Sequence, residues 1–250
     1  MPRYVATVTA SATLATLALS GCAGQEDHRP SAPKTPVAGA PGGGAGAGAG
    51  AGRGPGAGTP TPDVRIGGAN RVMRRHSFHG SGTTTAFPGA TQETWSDPEQ
   101  GLHMRVTGPV SGDVYCRAGT SYTSAPLFAA ALRERGQTLT VPDRLADTYV
   151  TSAAGDCDLY YRIPENVRPA PGKDRAVDGR QASAFETAAG DAQDVYFLED
   201  GQLRLIRLES KRSGRTSTTA YDSFGERFSI EMPPAGKTMT AEQFRAAVRG

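Results

Sequence analysis

A long tract rich in glycine, alanine and proline, residues 25–62, constrains this chain more than any other sequence feature. The tract has no aromatic residue and almost no bulky aliphatic one, so it buries too little apolar surface to offset the entropy lost on ordering. Glycine does not recur strictly at every third position, which excludes a collagen-like helix. We predict a flexible tether of about 38 residues, with an end-to-end span on the order of 35 Å. The folded domain is then expected over residues 63–250.

The residues before the tether have the layout of a bacterial lipoprotein signal. A single cation, Arg3, precedes an apolar run over residues 5–19, and the run ends in the sequence Leu-Ser-Gly-Cys at residues 19–22. The run is too short and too rich in serine and threonine for a transmembrane helix. An ordinary secretory signal with an incidental cysteine is the alternative interpretation.

This layout predicts how the N-terminus is processed and where the protein resides. We predict a signal peptide over residues 1–21, cleavage between Gly21 and Cys22, and a lipidated N-terminus with its tether over residues 22–62. Two or three acyl chains on Cys22 exceed the two membrane-binding signals that stable anchoring requires. The expected location is the extracytoplasmic face of the cell membrane, with Cys22 as the membrane anchor.

Charge and cysteine content narrow the class of protein further. The formal net charge of +2 argues against a nucleic-acid partner, because such proteins carry a basic stripe. The residues after the tether suffice for one domain with its own core, and we expect a monomer. Of the three cysteines, Cys22 is used by lipid, which leaves Cys116 and Cys157 as a pair in an oxidising compartment. We predict a Cys116–Cys157 disulfide, with two buried free thiols as the alternative.

Hydrophobic spacing predicts helices and short strands after the tether. The predicted helices cover residues 63–73, 125–136 and 241–249, and their caps are Asp63, Ser124 and Thr240. The predicted strands cover residues 78–84, 91–96, 102–107, 113–117, 181–186, 192–199, 202–209, 215–221 and 228–232. Residues 138–168 are expected to be irregular. Antiparallel strands covered on one face by one or two helices indicate an α+β domain.

Four passages of the sequence resemble a known family. They are the signal with its cysteine, residues 74–80 (RRHSFHG), residues 177–185 (VDGRQASAF), and residues 221–225 (YDSFG) with the strand and double proline of residues 228–235 (FSIEMPPA). Together they are similar to the actinobacterial lipoprotein family of LppX and LprG, within the wider LolA/LolB group. The last passage, with its phenylalanine–glycine bend, is the most specific.

The resemblance implies a curved antiparallel sheet, an unclosed half-barrel, with helices against its concave face. It also implies an apolar cavity for acyl chains of a lipid or lipoglycan ligand, which the protein would carry or present in the cell envelope. The candidate lining residues are Trp95, Met104, Val106, Phe128, Leu132, Phe197, Leu205 and Phe228.

An apolar cavity and an ordinary core use the same residue types, so a second hypothesis stays open. In it the fold has a filled core, and the chain is a non-enzymatic interaction or sensory lipoprotein that contacts another envelope protein. An envelope enzyme is a third and weaker hypothesis.

The screen for reactive groups predicts no catalytic residues, no metal site and no cofactor. The sequence Gly-Lys-Thr at residues 236–238 lacks the glycine that a phosphate loop needs five residues earlier. Ser31 and Lys34 match a nucleophile motif but lie in the tether, where no preorganised site forms. His76 and His79 would point to opposite faces of a strand.

Overall fold

The computed structural model describes residues 61–249. The predictions for the signal peptide, for Gly21 and Cys22, and for the tether up to residue 60 lie outside the described residues and stay predictions. Among the helices of residues 61–249, none has the length and apolar character needed to cross a membrane.

The described residues form three α-helices and thirteen strands, joined by tight turns and four short 3-10 helices. The helices are α1 (Pro62–Arg75), α2 (Ala125–Arg133) and α3 (Ala241–Ala247). The strands are β1 (Phe78–Thr83), β2 (Thr91–Asp97), β3 (Gly101–Thr107), β4 (Gly112–Arg117), β5 (Thr120–Ser124), β6 (Tyr149–Ala153), β7 (Arg168–Pro169), β8 (Arg175–Val177), β9 (Arg180–Ala189), β10 (Ala192–Glu199), β11 (Leu205–Arg212), β12 (Arg215–Asp222) and β13 (Thr238–Thr240).

All of these strands belong to one sheet, and its two end strands, β13 and β7, do not pair with each other. The order is β13-β6-β5-β4-β3-β2-β1-β12-β11-β10-β9-β7, and β8 also pairs with β9. The predicted α+β fold with an unclosed sheet is confirmed. The pairing of β13 with β6 is parallel, which corrects the expectation of a fully antiparallel sheet.

Helix α1 begins slightly earlier than the hydrophobic spacing predicts. Thr61 occupies the N-cap position and Pro62 lies in the first turn, where its missing N–H would have had no partner in the helix. Asp63 is therefore a first-turn residue and not the cap. Asp63 at the start, and Arg74 and Arg75 at the end, carry the charges that the helix dipole favours at each end.

Helix α1 continues through two successive glycines, Gly67 and Gly68, and one face of the helix packs against the sheet. Ile66, Ala69 and Met73 are buried in a cluster against the sheet. A Cβ atom on Gly68 would lie 2.8 Å from Cδ1 of Leu203, in the turn between β10 and β11. The glycine therefore lets the helix approach the sheet closely.

The caps of α2 and α3 behave differently. Ser124 precedes α2 as predicted, but its Oγ accepts a hydrogen bond from the Asp113 backbone N–H at 3.1 Å and makes no capping bond. Helix α2 ends at Arg133, three residues before the predicted end at residue 136. In α3, Thr240 forms the predicted cap, and Gln243 completes a capping box with it.

Helices α1 and α2 cover the same face of the sheet. Phe78 lies opposite Ser96, and Ser96 lies opposite Leu102, so the three side chains share one face. Val106 shares that face with Leu102, because side chains in a strand alternate. Phe78 packs in the cluster under α1, and Val106 packs in the cluster that contains Leu127 of α2.

The strand predicted over residues 228–232 does not form. The side-chain amide of Gln100 takes the place of a neighbouring strand: its Nε2 donates to the Phe228 carbonyl, and its Oε1 accepts from the Ile230 N–H at 2.9 Å. Pro233 and Pro234 then supply no backbone donors for a ladder. Conversely, the stretch expected to be irregular, 138–168, contains strand β6 and the first residue of β7.

Candidate ligand-binding cavity

A cavity of about 170 Å³ lies between the sheet, helix α2, and the loops 84–87 and 159–164. Its floor follows one row of residues that lie opposite one another on β10, β11, β12, β1, β2 and β3. The row is Tyr196, Leu208, Thr219, Gly82, Gln92 and Val106. All of these residues except Gly82 contribute atoms to the lining of the cavity.

Gly82 lies in the middle of the floor and places no side chain there. A Cβ atom at this position would lie 1.8 Å from the Thr218 carbonyl oxygen, so only glycine permits the close approach of β12. The situation differs two residues earlier, where the ring of Tyr221 lies 3.2 Å from the Cβ position of Gly80 and covers it. The backbone of β1 is thus covered by an aromatic ring at Gly80, whereas no ring of the described residues covers it at Gly82.

One side of the cavity is apolar. Phe87, Val106, Val114 and Leu127 are buried in a single cluster, and the partly buried Met104 packs against them. These residues come from the loop after β1, from β3 and β4, and from α2, so the apolar side forms only when sheet and helix pack together. Such a surface favours an alkyl group over water.

The other side of the cavity contains a buried ion pair. Asp194 of β10 is only 6 % exposed, and its Oδ2 lies 2.5 Å from Nη2 of Arg212 on β11. The Tyr196 hydroxyl also donates to this oxygen, at 3.3 Å. The second carboxylate oxygen, Oδ1, is buried and has no hydrogen-bond partner among the described residues. A buried acceptor without a partner is unfavourable by about 1–3 kcal/mol, and more when it is charged.

The tyrosines near this ion pair stay protonated at neutral pH. Burial raises the pKa of Tyr196 and of Tyr221, and the charge of Asp194 raises both further. Their hydroxyls are therefore neutral donors, and Arg212 is the cation that pairs with Asp194.

The wall formed by residues 157–164 is fixed at several points. The Asn70 side chain donates to the Ile163 carbonyl at 2.8 Å and accepts from the Ile163 N–H at 2.9 Å. The hydroxyls of Tyr160 and Ser121 lie 2.8 Å apart. The ring of Tyr161 packs edge-on against Phe78 at 5.0 Å. This wall is therefore tied both to α1 and to the sheet.

A disulfide joins the start of the same wall to the sheet. Cys116 lies in β4 and Cys157 begins a 3-10 turn, and their Cα atoms are 5.6 Å apart. The predicted pair is therefore bridged in the structure. The bridge holds residues 157–160 against the strand that also carries Val114 of the cavity.

The structure does not bring the eight residues predicted from sequence together around one space. Met104 and Val106 line the cavity. The other six lie elsewhere: Phe128 and Leu132 pack with Phe244 of α3, Leu205 lies under α1, Phe197 belongs to a separate cluster beneath the guanidinium of Arg175, and Trp95 and Phe228 border a groove on the opposite face.

Strand and helix periodicity explain this division. Trp95 lies opposite His103 in the sheet, and Met104 is the next residue in sequence, so Trp95 and Met104 point to opposite faces. Phe128 and Leu132 share one side of α2, but the neighbouring residue Leu127 is the one that faces the cavity. The alternation in each element was visible in the sequence, whereas the face that meets the cavity was not.

Sequence reasoning did not single out the ion pair. Asp194 directly precedes the apolar run of β10, Val195 to Leu198, and this position beside a buried run is the one signal that could have marked it. A charged residue inside a buried strand is seldom tolerated without a partner. Arg212 carried no such signal, because it ends a strand with polar neighbours.

On the opposite face, four rings lie in a row across β1 to β4, and the two pairs that contain His103 are stacked. The centroid distances are 5.4 Å from His79 to Trp95, 5.2 Å from Trp95 to His103, and 4.3 Å from His103 to Tyr115. Nε2 of His103 lies 2.7 Å from Asp113 Oδ1, and this hydrogen bond is the main reason why the pKa of Asp113 is lowered. Because the rings cover one another's faces, the row is explained by packing within the sheet.

Within residues 61–249, no group of three or more histidine, cysteine or acidic side chains is placed to hold a metal ion. The arrangement that the structure does present is a small cavity with one apolar side and one charged side.

No family model and no curated protein matches this sequence. Among solved structures, the chain is similar to LprF from Mycobacterium bovis, with 13% identity, a TM-score of 0.41, and coverage of 70% of this chain and 99% of that one. It is also similar to the Mycobacterium tuberculosis lipoprotein LppX, with 8% identity, a TM-score of 0.42, and coverage of 68% and 97%. LprF and LppX are lipoproteins of the family that the sequence resembles.

A further similar structure is the MucA/MucB complex of Pseudomonas aeruginosa, with 13% identity, a TM-score of 0.36, and coverage of 73% of this chain and 59% of that one. At such identities and TM-scores, these similarities say nothing about a ligand.

Proposed function

We propose that this chain is a non-enzymatic lipoprotein that binds a hydrophobic ligand in the cavity between its sheet and α2, for carriage or presentation in the cell envelope. The observation that carries the proposal is the unfilled space beside Val106, Val114 and Leu127, which are themselves buried. The proposal includes anchoring to the extracytoplasmic face of the membrane through Cys22. An acyl chain of a lipid or lipoglycan is the ligand class that fits such a protein and such a surface.

The size of the cavity limits how much of a ligand it holds. Its volume of about 170 Å³ is close to the ~150 Å³ of an apolar cavity that accepts benzene, and below the ~300–1,000 Å³ of typical ligand pockets. It therefore accommodates a short segment of one acyl chain, and a longer segment requires one wall to move.

The loop 84–87 is held by hydrogen bonds and by the burial of Phe87. The Thr84 N–H donates to the Ala90 carbonyl at 3.3 Å, the Ala90 N–H donates to the Phe87 carbonyl at 3.2 Å, and Arg215 donates to the Thr85 carbonyl at 3.3 Å. The opposite wall is fixed by a disulfide and by the Asn70–Ile163 hydrogen bonds. We expect a ligand to widen the cavity by displacing loop 84–87.

Two matched valines test the proposal. Val114 lines the cavity, Val150 lies in the cluster under α3, and each is 1 % exposed. Val114→Phe should fill the cavity, abolish binding of a fluorescent fatty-acyl probe, and leave the unfolding free energy nearly unchanged. Val150→Phe overpacks a filled core, so it should cost about 1–3 kcal/mol while probe binding persists.

The wild-type protein also distinguishes this proposal from its main competitor. Lipid extraction and mass spectrometry of the purified protein should recover an acyl species. A protein that yields no lipid, and that does not bind the probe, would instead support the interaction or sensory lipoprotein with a filled core. Equal destabilisation by Val114→Phe and Val150→Phe would point to the same conclusion.

A further inference from the structure

The charged side of the cavity restricts the chemistry of the ligand's polar group, given the proposed function. Asp194 accepts hydrogen bonds and has one oxygen, Oδ1, without a hydrogen-bond partner within residues 61–249. Arg212 only donates, and its Nη2 lies on the other oxygen of Asp194. Both residues line the cavity, so a ligand head that reaches this end meets an acceptor and a donor side by side.

Hydroxyl groups continue this polar end across the sheet. Asp194 lies opposite Ser210 on β11, and Ser210 lies opposite Ser217 on β12. All three residues line the cavity, as does Arg212. The polar end is therefore a short row of one carboxylate and two hydroxyls, bordered by one guanidinium.

Charge excludes two common head groups from this row. A carboxylate or phosphate only accepts hydrogen bonds, so it would pair with Arg212 but would lie beside the negative charge of Asp194. An ammonium group only donates, so it would satisfy Asp194 but would meet the positive charge of Arg212. A hydroxyl both donates and accepts, and two adjacent hydroxyls match the carboxylate and the guanidinium together.

We infer that the cavity selects a neutral amphiphile with one alkyl chain and adjacent hydroxyls on its head, of the kind found in a monoacylglycerol. The head hydroxyls donate to the Asp194 carboxylate and accept from Arg212. The alkyl segment next to the head lies against Val106, Val114 and Leu127, and the rest of the chain enters as loop 84–87 moves. The volume of about 170 Å³ leaves no room for a second chain beside the first.

Competition among four amphiphiles of equal chain length tests this inference on the purified protein. They are a 1-monoacylglycerol, the free fatty acid, its methyl ester and the fatty amine, each displacing the fluorescent acyl probe. We expect the monoacylglycerol to bind about tenfold more tightly than each of the others, because a site built for a hydroxyl discriminates against analogues without one. The methyl ester controls for a neutral head that lacks hydroxyls.

Removing the carboxylate charge should change the order of preference. In Asp194→Asn the guanidinium of Arg212 has no counter-ion, so the fatty acid should gain at least about tenfold on the monoacylglycerol. Asp191→Asn, in the exposed turn between β9 and β10, is the matched control and should keep the wild-type order. If Asp194→Asn does not fold, Ser217→Ala serves instead and should weaken the monoacylglycerol selectively.

The outcomes separate this inference from the proposed function. If the probe binds and the fatty acid or amine competes as well as the monoacylglycerol, the head-group inference is overturned while lipid binding stands. The same holds if a water molecule satisfies Asp194, since the four compounds would then compete equally. If neither the probe nor any amphiphile binds, the proposed function itself fails.

Discussion

Gly82 is the residue with the tightest steric requirement in the cavity floor. Its Cβ position lies 1.8 Å from the Thr218 carbonyl oxygen, so Gly82→Ala must separate β1 from β12. We expect this change to lower the unfolding free energy by about 3 kcal/mol, as overpacking does. Gly67→Ala is the control: no atom lies within 4 Å of its Cβ position in α1, and it should stabilise by about 0.5–1 kcal/mol. Urea unfolding measures both, and similar losses in the two variants would contradict the prediction.

The ionised carboxylate of Asp113 should raise the free energy of unfolding, and this contribution should be lost at low pH. The hydrogen bond with His103 is the largest influence that holds the pKa of Asp113 below its ordinary value of 3.8, and the charge of Arg105 acts in the same direction. A carboxyl with a lowered folded-state pKa stabilises the protein above about pH 4, and this contribution is lost as the pH falls through the folded pKa. Asp113→Asn should therefore cost about 1 kcal/mol or less at pH 7, and the difference from wild type should shrink toward pH 3.

Denaturant unfolding at both pH values is the measurement for Asp113→Asn, with the exposed Asp191→Asn as its control. An unchanged difference between wild type and Asp113→Asn at pH 7 and pH 3 would mean that the ionised carboxyl does not stabilise the fold.

At the scale of elements, the disulfide decides the stability of one cavity wall. It closes a loop with a sequence separation of 41 residues. The loop-entropy relation predicts that such a bridge raises the unfolding free energy by roughly 4 kcal/mol. A variant with both Cys116→Ser and Cys157→Ser, or wild type under reductant, should lose about this much unfolding free energy. Reductant should have no effect on the double variant. Two alkylated cysteines in the unreduced protein, with melting unaffected by reductant, would exclude the bridge.

Some strands can be predicted from the local sequence pattern, and others cannot. Strand β10 matches the predicted residues 192–199, because its boundaries are marked by turn residues on both sides. The strand predicted over residues 228–232 has an equally suitable pattern, but the amide of Gln100 occupies its backbone groups. Gln100 is about 130 residues away in the sequence, so no local pattern reveals this contact. Strand β6 was missed because its sequence, YVTSA, is short and half polar.

At the scale of the whole molecule, the proposed membrane anchoring depends on Cys22, which lies outside the described residues. Cys22→Ser should block acylation and leave an uncleaved or mislocalised precursor, because the thioether forms on the cysteine sulfur. Detergent-phase partitioning and the intact mass of the protein measure this. The variant with Cys116→Ser and Cys157→Ser should remain anchored and serves as the control. A Cys22→Ser protein that matures and partitions like wild type would contradict the lipoprotein proposal.

The sequence by itself determined the α+β class, most of the strands and the Thr240 cap of α3, because alternation and capping are local, and the family resemblance implied the unclosed sheet. The chemistry of the compartment that the signal predicts also sufficed to pair Cys116 with Cys157. Only the tertiary structure decided which apolar residues surround empty space. A cavity is volume left over when distant strands and a helix pack, and it depends on register: Gly82 lies between Thr219 and Gln92, and Asp194 meets Arg212 across two strands. No local sequence pattern reveals contacts between residues on different strands. For this reason six of the eight predicted lining residues lie elsewhere.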